Sequence, residues 1–286
     1  MRGAGASPGR PLRAREALGA AGLERLDAEV LLARVLGCER AVLHMDNPSL
    51  SPAQAERFAG LAERRREGEP VAYLVGRREF RWLELAVDPR VLIPRPETEH
   101  LVEAALGLPV RTRVVDVGTG SGAVALALKS ERPDLELVGV DVSGDALEVA
   151  RGNGERLGLD VEWVEGDLLA PVSGPIDAIV ANLPYVAAGE TVAEGVRWEP
   201  SVAVWGGPDG LDLMRRLVTQ AGVGRITPLL GGKTSPRGPG PVPFLALEVG
   251  ATRAPEVAGL CQGAGYRWME THRDLAGRDR VVVARA

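Results

Sequence analysis

Val114-Val115-Asp116-Val117-Gly118-Thr119-Gly120-Ser121-Gly122 is the stretch on which the fold turns. A short run with buried-strand character passes into three glycines at alternate positions, and residues 123–129 then carry a helical pattern. Glycine has no Cβ, so the backbone there can turn sharply and approach a ligand, while the first turn of the next helix leaves its amides free. A strand, a glycine turn and a helix in succession form the opening of a crossover between parallel strands.

The alternation continues downstream. Leu137-Val138-Gly139-Val140 reads as a second strand ending at Asp141, and Ser143 can cap a helix running to Leu157. Strands are expected over residues 161–164, 178–181 and 244–249, with strand character returning at 280–283. This order predicts an open, mostly parallel α/β sheet, in which ligands bind beyond the carboxyl ends of the strands. Asp116, Asp141, Asp167 and Asn182 all fall close to such ends.

Upstream, residues 11–67 read as mostly helical, with Ser51 as a cap and Pro52 in the first turn of one helix. Gly68-Glu69-Pro70 ends that region. Phe80, Trp82, Glu84 and Ala86 would share one face of a strand, and Val91-Leu92-Ile93 would return beside it around an Asp88-Pro89-Arg90 turn. Pro94-Arg95-Pro96 then enters a helix over residues 97–106. The expected organisation is a helical domain at 1–76, a hairpin linker at 77–94 and an α/β domain at 95–286.

Bulk properties narrow the class. The chain has 286 residues, enough for two domains, and 45% hydrophobic against 26% charged residues suits a substantial core. A net charge of -5 lacks the basic excess of a nonspecific nucleic-acid binder, and Arg64-Arg65-Arg66 with Arg77-Arg78 reads as a solvated helix face. Cys38 and Cys261 make no disulfide framework, and His44, His100 and His272 have no metal-ligand spacing, so no metal is expected. With a basic, Gly- and Pro-rich start read as a frayed terminus, the expected location is the cytoplasm. Residues 231–243, with four glycines and four prolines, read as a surface loop. Gly232-Lys233-Thr234 within it is no phosphate loop, because the required earlier glycine is Thr227.

The chemistry rests on two motifs. A dinucleotide loop has the spacing G-x-G-x-x-G and holds a pyrophosphate. Here the spacing is G-x-G-x-G behind Asp116, and an acid in that place suits a cationic ligand. Asp141, at the second strand's end, can accept both hydroxyls of a ribose. Together these point to S-adenosylmethionine, held by Gly118, Thr119, Gly120, Ser121, Gly122 and Asp141. The second motif, Asn182-Leu183-Pro184-Tyr185, follows the fourth strand. A planar amide or base nitrogen is a poor nucleophile, because its lone pair is delocalised. The Asn182 side-chain oxygen and a backbone carbonyl of the turn can accept both hydrogens of an NH2 group, and Tyr185 can lie flat against it. Methyl transfer then depends on positioning, without a covalent intermediate.

With these residues placed, the chain resembles the protein-(glutamine-N5) methyltransferases that modify class I peptide chain release factors. The specific segments are Gly68-Glu69-Pro70-Val71-Ala72-Tyr73-Leu74, Arg78-Glu79-Phe80, Leu92-Ile93-Pro94-Arg95-Pro96-Glu97-Thr98-Glu99, Glu199-Pro200 and Gly206-Gly207-Pro208-Asp209-Gly210-Leu211. The resemblance implies a Rossmann-like class I methyltransferase domain and an N-terminal helical domain that docks the protein substrate. It implies as acceptor the glutamine of the Gly-Gly-Gln loop in the release factor. It carries cofactor contacts onto Gly118 to Gly122, Asp141, Asp167, Leu168 and Asn182. Substrate contacts fall on Asn182, Leu183, Pro184 and Tyr185, with Asn182, Pro184 and Tyr185 as the catalytic set. The enzyme is expected to act as a monomer, without direct nucleic-acid contact or membrane association. Leu183 stands where the family usually has proline, and Asn-Leu-Pro-Tyr is the form of ribosomal RNA adenine methyltransferases, the alternative reading. Those enzymes lack the N-terminal helices and carry a helical domain after the catalytic one, whereas residues 281–283 here are strand-like.

Overall fold

The protein is described by a computed structural model over residues 10–222 and 240–286. It divides into two compact units, Met1–Gly76 and Arg77–Ala286. The stretch at 231–239, with the Gly232-Lys233-Thr234 sequence, lies outside the described residues.

The first unit is a helical cluster of α1 (Ala14–Ala20), α2 (Arg25–Leu36), α3 (Arg40–Met45), α4 (Pro52–Arg66) and α5 (Val71–Val75). Leu31, Leu32, Leu43 and Phe58 are buried in its core. Ser51 caps α4 as the sequence suggests: its hydroxyl accepts from Gln54 N while the Gln54 side chain accepts from Ser51 N, a reciprocal capping box. The arginine run at the end of α4 is tied within the unit, Arg65 to Asp27 on α2 at 2.7 Å and Arg64 to Glu69.

The second unit begins with a hairpin, β1 (Arg77–Phe80) against β2 (Leu83–Ala86). The hairpin is present, but its expected limits are wrong. Its turn is Arg81-Trp82, with Arg81 at φ 50, and Val91 to Ile93 is not a strand. The reason is tertiary. The Arg81 guanidinium is held by Glu131 and Glu103 from helices of the α/β domain, which anchors a tight turn that the residue types alone do not signal. Phe80 and Leu85 enter the core of that domain, so the hairpin belongs to it rather than standing as a separate linker.

Among the described residues the sheet has seven strands in the order β5-β4-β3-β6-β7-β9-β8. These are β3 (Arg113–Val117), β4 (Glu136–Asp141), β5 (Glu162–Glu165), β6 (Ala178–Ala181), β7 (Phe244–Glu248), β8 (Trp268–Arg273) and β9 (Asp279–Arg285). All pairs from β5 to β7 are parallel, and β9 runs antiparallel between β7 and β8. Period-2 geometry splits the central strands between two cores. Val115, Val117, Ile179, Leu245 and Leu247 face α10 (Asp212–Gly222) and α11 (Ala254–Gly263), while Val114, Ala178, Val180 and Ala246 face α6 (Glu99–Ala105) and α7 (Ala123–Glu131). Burial on both sides explains why these strands read as continuous apolar runs. The edge strand β8 escapes the sequence reading because most of its side chains are exposed.

Candidate active site

The chain order reverses beside β3: β4 and β5 lie on one side of it, β6 and β7 on the other. Such a switch point leaves a crevice at the carboxyl ends of the strands. A cleft of about 980 Å³, its open mouth included, lies there. That is room for a nucleoside-sized ligand. Gly118, Gly120, Asp141, Asp167, Leu168, Asn182, Leu183 and Pro184 line it, so sequence-distant candidates converge.

The glycine loop is held by hydrogen bonds to the end of β4. Gly118 N and Thr119 N donate to Val140 O at 2.8 and 3.0 Å, and Gly120 N donates to Asp141 Oδ2 at 2.9 Å. Gly118, Gly120 and Gly122 take φ of 74, 55 and 81°, the left-handed region that glycine enters without a Cβ clash. Gly118 and Gly120 line the cleft, whereas Thr119 and Ser121 are buried side chains away from it. Gly122 serves packing: a Cβ there would lie 2.9 Å from the Trp163 ring.

Asp116 does not reach the cleft. It is buried on the α7 side, where Oδ2 accepts from the Thr119 hydroxyl at 2.6 Å and from Ala125 N at 3.2 Å. It therefore braces the loop from beneath, which corrects the expectation that it faces a cationic ligand. Burial pushes its carboxyl up to about 7. Asp141 does face the cleft. Its Oδ1 accepts from Ser143 N and its Oδ2 from Gly120 N, and burial raises its pKa against those bonds. Beside it Leu168 is held at φ 51, and Asp167 is paired with Arg216 on α10.

A smaller pocket adjoins the cleft through Asn182, Leu183 and Pro184, and is closed by Tyr185, Leu92, Arg95, Glu199 and Glu248. The Asn182 Nδ2 donates to the Thr98 hydroxyl at 3.0 Å, which leaves the Oδ1 end of the amide to accept. Leu183 is buried, and a Cβ on Gly118 would meet it at 3.2 Å. It offers no polar group, so it discriminates between amide and base only through shape. Tyr185 is half-buried, and its hydroxyl is pushed up to about 12 by burial and the nearby Glu248. Gly206 and Gly210 press the following loop onto this turn: a Cβ would fall 2.4 Å from Pro184 O and 2.3 Å from Tyr185 O respectively.

Three further residues support the site; Glu199 stands in a segment that carries the family resemblance, whereas Asn153 and Glu248 escape sequence reasoning. Glu199 is buried and accepts from Ile93 N at 3.3 Å and from Arg95 at 2.5 Å, holding residues 93–95 beside the pocket. Asn153 on α8 (Gly144–Leu157) bonds both backbone groups of Ala86 and donates to Ser121 O at 3.0 Å, joining hairpin to glycine loop. Glu248 ends β7 at the pocket wall. Glu248 is an acid in the apolar run 244–249, a signal the sequence offers; for Asn153 there is none.

Comparison with known proteins agrees with this architecture. Residues 12–76 match the PrmC N-terminal domain family, and residues 97–199 match the methyltransferase small domain family. The release factor glutamine methyltransferase of Deinococcus radiodurans is 40% identical over 266 residues, covering 91% of this chain and 90% of that one. Its counterpart from Moorella thermoacetica is 42% identical over 279 residues, covering 93% and 94%. Among solved structures, a methyltransferase from Pyrococcus furiosus shares the fold at 17% identity, with a TM-score of 0.51 over 71% of this chain and 88% of that one.

Proposed function

The chain belongs to the release factor glutamine methyltransferases, and from that premise we propose that it methylates the side-chain amide nitrogen of the glutamine in the Gly-Gly-Gln loop of class I release factors. Its methyl donor is S-adenosylmethionine. When bound, the donor presents a methyl carbon on a positively charged sulfur, open to direct displacement. The residues present suit it: an acid at the end of β4, glycines where a side chain would fill the cleft, and an apolar wall at Leu168.

The observation that carries the reading is the Asn182 amide, whose nitrogen is engaged by Thr98 so that its oxygen is left to accept. In this assignment that oxygen and a backbone carbonyl of the 182–185 turn take both hydrogens of the acceptor NH2. Accepting from both N–H groups favours charge development on nitrogen as it attacks, and fixes the amide plane. Pro184 stiffens the turn, Tyr185 lies against the flat face of the acceptor, and Leu183 packs beneath. Asp141 binds the ribose hydroxyls, Gly118 and Gly120 admit the donor, and Asp167 and Leu168 flank it. Thr119, Ser121 and Gly122 act by shaping the loop. The N–C bond forms as the S–C bond breaks, and one amide proton leaves to solvent.

The same assignment gives docking of the release factor to the helical unit and methyl transfer to the α/β unit, in a cytoplasmic monomer without direct nucleic-acid contact. No helix among the described residues is long and apolar enough to cross a membrane. The test is transfer of labelled methyl groups from the donor to a purified release factor. Label should enter the wild-type factor and not a variant whose loop glutamine is replaced. Equal labelling of the two overturns the glutamine assignment, and labelling of ribosomal RNA alone supports the adenine alternative.

A further inference from the structure

We infer that Glu248 and Thr98 form a positioning relay that sets which end of the Asn182 amide faces the methyl acceptor. The inference rests on the glutamine reading above and deepens it.

Glu248 ends β7, Thr98 closes the 3-10 turn Pro96–Thr98 before α6, and Asn182 follows β6, so three separate elements meet here. The Thr98 hydroxyl faces the Glu248 carboxylate and favours its charged form, and that hydroxyl receives the Asn182 Nδ2 at 3.0 Å. Thr98 and Glu248 are only 4% and 2% exposed, so water does not compete for these bonds. Glu248 also lines the acceptor pocket, and its Oε2 has no hydrogen-bond partner among the described residues.

Polarity runs one way along this chain. An ionised carboxylate accepts only, so the Thr98 hydroxyl must spend its single proton on Glu248. The hydroxyl then has only lone pairs to offer Asn182, and only the NH2 end of that amide can meet them. Oδ1 is thereby committed to the acceptor side. The two ends of an asparagine amide are close to isosteric, and packing alone does not choose between them. A protonated Glu248 removes the choice, because its own O–H can donate to Thr98 and free that hydroxyl to donate to Asn182 Oδ1.

The setting makes this protonation accessible. Burial lifts Glu248 to about 7; Glu97 is a further obstacle to ionisation, while Thr98, Arg280 and Arg95 favour the charged form, and the neutral Tyr185 phenol beside it carries no opposing charge. Arg95 is shared with Glu199. The acceptor amide is thus held best when Glu248 is ionised.

The experiment measures methyl transfer to the release factor, cofactor affinity by calorimetry and the pH profile of kcat/KM, all on the full chain. Thr98→Val should lower kcat by about 10- to 100-fold, the scale of a small misplacement of reacting groups, with cofactor affinity within about 3-fold of wild type on the same argument that the relay serves positioning. Thr98→Ser, which keeps the hydroxyl, should recover most of that turnover. Glu248→Gln should also lose turnover, and the double variant should be no worse than the more impaired single, because both cut one chain. Wild-type kcat/KM should fall as pH drops through about 7, and this fall should vanish in Thr98→Val. Thr98→Val with wild-type turnover, additive losses in the double variant, or an acid limb that persists without the hydroxyl would each overturn the relay. Should Thr98→Val not fold, a flat wild-type profile or an inactive Thr98→Ser overturns it equally. A wild-type enzyme that labels no release factor refutes the glutamine reading instead.

Discussion

Asp116 shows how one residue can be identified by its motif and misassigned in its task. Its place behind the glycine loop suggests a charge facing a cationic ligand, yet the side chain points into the sheet–α7 interface and accepts from Thr119 and Ala125. The parity of β3 decides this, since Val115 and Val117 face one core and Val114 and Asp116 the other. A folded-state pKa of about 7 against an ordinary 3.8 gives a definite sign. The folded state holds this proton more tightly than the unfolded chain does. Its contribution is therefore fully present below about 4 and is lost as pH rises through about 7, by roughly 4 kcal/mol in all. Asp116→Asn, which can still accept from Thr119, should shrink the fall in melting temperature between pH 5 and pH 8, read by calorimetry. An unchanged fall would remove Asp116 as its source.

The hairpin illustrates the same limit for an element. Residues 77–94 announce strands, but neither the turn nor the packing partner can be read from them. Period 2 is too short a signal over so few residues, and Asp88-Pro89 is the stronger turn signature by composition. What selects Arg81-Trp82 is the pair of acids, Glu103 and Glu131, that receive the Arg81 side chain, and the burial of Phe80 and Leu85. Asn153 then clamps Ala86 from α8 and reaches the glycine loop through Ser121 O. Asn153→Ala removes a partner from Ser121 O, which is buried, and from both backbone groups of Ala86, which is exposed; a buried orphan costs about 1–3 kcal/mol. The expected outcome is a clear fall in melting temperature together with weaker cofactor binding, because the loop loses its brace. A variant that melts lower yet binds the cofactor as tightly as wild type would confine the clamp to stability.

At the scale of the whole molecule, every residue lining the cofactor cleft lies between Arg90 and Arg216, inside the second compact unit. That unit also carries its own two cores, one on each sheet face, while the helical unit has a third. A chain of residues 77–286 should therefore fold alone and bind the cofactor with an affinity near that of the full chain, measured by calorimetry. Its kcat/KM for the release factor should drop steeply if the helical unit docks the substrate. Full activity of the shortened chain would remove that unit from substrate recognition.

Local order and the identity of the cofactor were determined by the sequence itself. The strand–glycine–helix unit, the Ser51 and Ser143 caps and the acid at the end of β4 are set by interactions between residues close in the chain, whose spacing is visible in one dimension. The Asn182 motif was visible on the same grounds, as a turn placed after a buried strand. Tertiary structure alone decided the rest: the direction of Asp116, the true hairpin turn, the edge strand β8, and the meeting of Thr98, Asn182 and Glu248. These depend on groups separated by 50 residues or more or on which face of an element is covered. Burial, which gives such contacts their strength by excluding water, exists only once the chain has closed around them. The glycine loop is thus legible in its own nine residues although β4 and Asn153 hold it in place, while the direction of the amide beside it belongs to the fold.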